Sequence, residues 1–156
     1  MIPDVVAVPL SEKADLWTMF QRYARELASM ATGKSVKGEV SYPTFDNYWR
    51  EDRHWPFWAM HNGERIGFAL IRFAPERNAM QIAEFYILPE FRRDGAGLSF
   101  ARALMERHPG PWTMRQMAVN TVAVAFWRGV AKPYGFTETR YVDKGIERIE
   151  QALTVR

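Results

Sequence analysis

The stretch RRDGAG, from Arg92 to Gly97, joins positive charge to minimal side-chain bulk in the spacing Arg-x-x-Gly-x-Gly. It follows the β-prone run FYIL and Pro89, and it precedes an amphipathic helical pattern. Gly95 and Gly97 have no Cβ and Ala96 has the smallest side chain that carries one, so a ligand can come close to the main chain there. The first amides of a helix have no intrahelical partners and lie at the positive end of its dipole. Phosphate oxygens are natural acceptors at such a place. Arg92 and Arg93 add charge on the approach. The turn therefore reads as a holder for a diphosphate, with a plain strand-to-helix turn as the competing reading. It lacks the Lys-Ser/Thr pair of a nucleotide-triphosphate loop and the third glycine of a dinucleotide fold.

With FYILPEF before it and NTVAVAFW beyond it, this stretch resembles the GNAT superfamily of N-acetyltransferases. RRDGAG matches that family's R/Q-x-x-G-x-G/A signature, and NTVAVAFW is similar to its Asn-x-x-Ala helix. The resemblance runs from about Met80 to Phe136; outside it only the order of elements fits. It implies acetyl-CoA as donor and an amine as acceptor. The main-chain amides of Arg93, Asp94, Gly95, Ala96, Gly97 and Leu98 would cradle the CoA pyrophosphate. The open strand edge of Phe85, Tyr86 and Ile87 would pair with the pantetheine amides like one more strand. Asn120 would hydrogen-bond the pantetheine arm, with Phe126 and Trp127 of the same helix beside the cofactor. Asn120 also reads as a helix cap, and the two roles are compatible.

Acetyl transfer to an amine needs a neutral nitrogen and a proton for the departing thiolate. Period-two alternation puts Met80, Ile82, Glu84, Tyr86 and Leu88 on one strand face, where Glu84 is the only charge. Burial there would raise its pKa and suit it as general base. The alternative is a structural carboxylate held by Arg72 or Arg115. For the acid, the sequence departs from the family pattern, which carries a tyrosine where this chain has Trp127. Tyr134, just before Gly135-Phe136, could supply a phenol near the thiol; a packed core tyrosine and an unassisted thiolate are the other readings. The run SYPTFDNYWREDRHWPFW is dense in aromatics and carboxylates. Tyr42, Asp46 and Trp49 from it would make an aromatic and acidic wall for a cationic amine, although aromatics near loops also pack cores. His54, His61 and His108 are scattered, and no metal is expected.

The elements that must position these groups follow from hydrophobic period and turn chemistry. VVAVPL reads as a strand. Ser11 reads as the N-cap of a helix carrying Leu16, Met19, Phe20, Tyr23, Leu27 and Met30 and fading at Gly33. A loop over residues 32–43 precedes a short helix in TFDNYWRED. Asn62-Gly63 marks a hairpin, PERN turns into the strand 80–88, and residues 96–108 form a helix. A strand over 112–119, a helix from Asn120 and a hairpin turning at DKG complete the order. The expected fold is α+β: a GNAT-like, mostly antiparallel twisted sheet of about six to seven strands flanked by four helices, in a single domain over 1–156.

The chain has 156 residues, enough for a real core, with 6 Trp, 6 Tyr and 10 Phe. It has no cysteine, which excludes disulfides and thiolate nucleophiles and fits a reducing cytoplasm. MIPDVVAVPL lacks the form of a signal peptide, and no run is long enough to span a bilayer. The net charge of +3 is spread along the chain rather than gathered in a basic block, so neither nucleic acid nor membrane is expected as partner. The leading expectation is a cytoplasmic N-acetyltransferase acting on a small-molecule or peptide amine in a ternary complex. The alternative is a non-catalytic CoA-binding sensor or partner module, with an RNA-associated protein as a third reading. The edge strands of the last hairpin could pair with a second copy in a homodimer.

Overall fold

The computed structural model describes residues 1–156. β1 (Asp4–Ala7) leads to α1 (Lys13–Thr32), the short α2 (Asn47–Arg50), and then β2 (His54–His61), β3 (Glu64–Ala74) and β4 (Ala79–Ile87). α3 (Ala96–Glu106), β5 (Gly110–Met117), α4 (Thr121–Ala131), β6 (Phe136–Asp143) and β7 (Ile146–Val155) follow. All seven strands join one sheet in the order β1-β2-β3-β4-β5-β7-β6. Every neighbouring pair is antiparallel except β4 and β5. The fold is the expected α+β sheet with four helices.

Local chemistry explains most boundaries. Asn62 and Gly63 both take positive φ, 50° and 75°, the twist that a two-residue hairpin between β2 and β3 requires. Gly33 ends α1 in the left-handed region at φ 71°. The start of α1 corrects the Ser11 expectation. After Pro9 the chain makes a 3₁₀ turn over Leu10–Glu12, so the cap position falls to Glu12, without a side-chain cap bond. The Glu12 carboxylate instead accepts from the Trp58 indole at 2.7 Å and meets Arg65 at 3.0 Å.

The two faces of the sheet bury separate cores. On one, Met80, Ile82, Trp112 and Met114 pack with Phe100, Leu104 and Met105 of α3 and with Trp127 and Val130 of α4. On the other, Leu16, Phe20 and Ala24 of α1 pack with Phe45, Tyr48, Trp58, Phe68 and Tyr86. β4 contributes to both in an unexpected way. Leu70 faces Glu84 while the next residue, Ile71, faces Ile82, so Ala83 is an extra residue in β4. This β-bulge resets the alternation. Met80 and Ile82 lie on the α3–α4 face, and Glu84 and Tyr86 turn toward α1. The expectation that these residues share one face is thereby corrected.

Candidate active site

β4 and β5 pair only at Met80–Trp112, Gln81–Thr113 and Ile82–Met114. Beyond that point β4 stays with β3 and β5 stays with β7, so the sheet forks. A cleft of about 450 Å³ opens in the fork. Phe20, Tyr23, Leu27 and residues 40–42 wall it on the α1 side, and Asn120, Ala123 and Trp127 on the α4 side. Ile82, Ala83, Glu84 and Phe85 form one prong, and Arg115, Gln116 and Met117 form the other.

Where β4 ends, the chain turns through residues 88–95 into α3. Arg93 and Gly95 take left-handed φ values of 76° and 85°. Such turns gather main-chain N–H groups into a concave, anion-seeking surface. Of the amides from Arg93 to Leu98, only that of Ala96 meets a protein acceptor, Asp94 Oδ1 at 3.3 Å. Gly95 caps α3 with no side-chain bond, and a Cβ placed on it would meet open space. Gly97 serves differently: a Cβ there would stand 3.1 Å from Phe126 Cε1, so this glycine admits α4 against α3. Arg92 also departs from its expected place. Its Nε donates to the Ile87 carbonyl at 2.7 Å, and its guanidinium lies over the Tyr86 ring and 3.6 Å from Glu26. Arg92 thus braces the end of β4 and occupies one carbonyl of its edge, whereas Arg93, exposed in the same turn, makes no ion pair.

Glu84 sits half-buried on the floor of the cleft and accepts from the Tyr23 hydroxyl at 2.8 Å. Burial raises its pKa to about 7, against the lowering effect of the Tyr23 hydrogen bond and of the Arg115 charge. Burial first, and the Glu84 charge second, push the Tyr23 and Tyr42 phenols above their ordinary value. Neither arginine named as a structural partner bonds Glu84: Arg72 is engaged by Gln81 and Glu76, and Arg115 acts on it only through its charge. Tyr23 was legible only as an apolar-stripe residue of α1. The available signal was that a buried phenol needs an acceptor.

Asn120 caps α4, its Oδ1 accepting from the Ala123 amide at 3.1 Å, which leaves its Nδ2 hydrogens for the cleft. Phe126 and Trp127 pack on Phe85 with ring centroids 5.6 and 5.0 Å away. Tyr134 does not line the cleft: it follows the far end of α4 and donates to Glu106 at 3.0 Å. Of the expected aromatic wall, Tyr42 reaches the cleft, and Asp46 and Trp49 do not. Asp46 pairs with Lys13, and the Trp49 indole donates to the Val8 carbonyl at 2.9 Å. Arg115, Arg148 and Gln116 line the cleft without having been singled out for it.

The sequence model of the acetyltransferase (GNAT) family matches residues 16–131. No curated protein matches the chain. Among solved structures, AAC(6')-Ib in complex with ribostamycin and coenzyme A superposes with a TM-score of 0.72 at 15% identity, over 99% of this chain and 94% of that one. An acetyltransferase from Thermus thermophilus gives 0.69 at 16% identity, over 99% and 98%. A ribosomal-protein-alanine N-acetyltransferase from Brucella melitensis gives 0.64 at 15% identity, over 97% and 99%. At these identities the likeness carries the fold.

Proposed function

The chain belongs to the acetyltransferase (GNAT) family, and from that premise we propose that it moves the acetyl group of acetyl-CoA to a primary amine by direct attack, with both substrates bound together. The observation that carries this reading is the β4–β5 fork, with bare amides beyond one end and Glu84 on its floor. The amides of Arg93, Asp94, Gly95, Gly97 and Leu98 take the pyrophosphate, and Arg93 adds charge beside them. The β4 edge at Phe85 and Tyr86 offers main-chain groups to the pantetheine arm, and the free Nδ2 of Asn120 adds a donor from α4. Acetyl-CoA supplies the thioester whose C–S bond breaks as the C–N bond forms.

Glu84 takes the proton that the acceptor ammonium must lose before its nitrogen can attack. A pKa of about 7 matches that task near neutrality. Tyr23 holds the carboxylate in position. Tyr134 takes no part at the sulfur, because its hydroxyl is engaged on Glu106 outside the cleft. Trp127 stands in the cleft with an indole N–H that can donate a hydrogen bond but not a proton, so the thiolate is protonated from solvent.

The test is thiol release from acetyl-CoA against a panel of amines. Amine-dependent release supports the reading. Tight CoA binding with no release for any amine would replace it with the CoA-binding module.

A further inference from the structure

The side chains lining the cleft carry only three charges: Glu84, Arg115 and Arg148. The two arginines come from neighbouring strands. Arg148 faces Met117 across the β5–β7 ladder, and Arg115 lies two residues before Met117 on the same strand face. That face is the α1 side, because Trp112 and Met114 alternate onto the α3–α4 side. Glu84 and Tyr23 are on the α1 side as well. The cations and the carboxylate therefore share one chamber.

Neither cation is fully matched. No ion pair of the structure includes Arg115, whose side-chain partner is the uncharged Tyr141 hydroxyl, with the Asp143 charge farther off. Glu150, directly across the ladder from Arg115, is held by Arg77 at 2.8 Å. Arg148 Nε lies 3.7 Å from Asp143 Oδ2, too far for a hydrogen bond, and is buried with no other polar partner. The wall opposite, Leu27, Ala28, Ala31 and Val40, is uncharged. A chamber of this kind has a place for one ammonium, at Glu84, and holds two guanidiniums whose planar forks suit a carboxylate. It has no second carboxylate for a further ammonium, and cations brought beside Arg115 and Arg148 would be repelled in a partly desolvated site.

We propose that the acceptor is a primary amine that also bears a carboxylate, of the free amino-acid type, with its amine at Glu84 and its carboxylate between Arg115 and Arg148. This rests on the acetyl-transfer reading above and narrows it to one substrate class. Transfer deprotonates the ammonium, forms the amide C–N bond, and releases CoA; the carboxylate of the acceptor is unchanged.

The experiment measures thiol release from acetyl-CoA with free amino acids, with the matching α-carboxamides, and with ribostamycin as a polycationic amine. The carboxamides are less basic, so more of each is neutral at pH 7, and intrinsic reactivity opposes the expected order. The acid member of each pair should nevertheless have a kcat/KM higher by about tenfold to a hundredfold, the worth of a charge-assisted hydrogen bond. In Arg115→Gln and Arg148→Gln that ratio should collapse toward one through the KM of the acceptor. Arg115→Lys should keep part of it, and thermal melts establish that each variant is folded. Equal or better use of carboxamides or ribostamycin would overturn the proposal while leaving acetyl transfer to amines intact. An acid preference that persists in both Gln variants would also overturn it. No amine-dependent release with any compound of the panel would remove both readings.

Discussion

The two sides of the β4–β5 fork are built from different material. On the α3–α4 side, the groups offered to a ligand are mostly main-chain: the amides of the 93–98 turn and the free edge of β4, with a few side-chain donors such as Asn120 and Arg93 beside them. On the α1 side, they are side chains gathered from α1, residue 42, β4, β5 and β7: Tyr23, Tyr42, Glu84, Arg115 and Arg148. A main-chain site needs only a backbone path, which a few consecutive residues specify. A side-chain site needs a tertiary fold to bring distant positions together. The first can grip a chemically constant partner such as a diphosphate, and the second is free to choose among acceptors.

The sharpest way to break this division is at Glu84. Glu84→Gln should lower kcat/KM by about a hundredfold to ten-thousandfold, the usual worth of a positioned base, with little change in CoA affinity. The wild-type rate should rise with pH through about 7 as the carboxyl loses its proton, and the variant should lack that step. Stability carries the opposite sign. A folded pKa raised from the ordinary 4.5 to about 7 means that protonation favours the native state. Its contribution is complete below the ordinary value and is lost as pH rises through about 7. Thermal melts between pH 5 and 8 should show this decline in the wild type and a smaller one in Glu84→Gln.

On the main-chain side, Gly95→Val forces a branched residue into φ 85°. The left-handed conformation costs a residue with a Cβ about 1–2 kcal/mol, so calorimetric titration should find CoA binding weakened about tenfold, with the acceptor KM little moved. A large change in acceptor preference instead would join the two regions that the structure separates.

Asn120 allows a finer cut, because its cap and its free amide use different atoms. Asn120→Ala should destabilise by about 1 kcal/mol through loss of the cap. Asn120→Asp keeps a cap acceptor and loses the Nδ2 donor. It should melt near the wild type and yet raise the KM for acetyl-CoA. Equal KM values for wild type and Asp would confine Asn120 to capping.

The smallest effect is expected at Tyr134. Tyr134→Phe removes one exposed hydrogen bond to Glu106 and should leave kcat within about twofold, since such bonds contribute roughly 0.5–1.5 kcal/mol to folding and nothing to the cleft. A hundredfold loss would restore it as the acid and require α4 to rearrange.

Legibility in the sequence followed the same boundary. The glycine-bearing turn into α3 and the Asn120 cap were readable because both depend on neighbours within a few residues. Even there, Arg92 and Gly97 show the limit: Arg92 is bound to the Ile87 carbonyl, and Gly97 makes room for Phe126. Composition in the 41–58 run gave aromatics and carboxylates but not their directions. Asp46 went to Lys13 and Trp49 to Val8, and Tyr42 alone turned into the cleft. Tyr134 was close in sequence to the expected position, but α4 carries it away from the end where Asn120 stands.

The order of helices and strands, the hairpin at Asn62-Gly63 and the amide-lined turn into α3 were determined by the sequence alone. They rest on period, cap and turn preferences that act over short spans. The face on which Glu84 stands was decided only by the tertiary structure. The bulge at Ala83 arises from how β4 meets β3, and one extra residue sends every later side chain to the opposite side of the sheet. The meeting of Glu84 with Tyr23, Arg115 and Arg148 depends on that shift and on strands far apart in the chain, which no local pattern encodes.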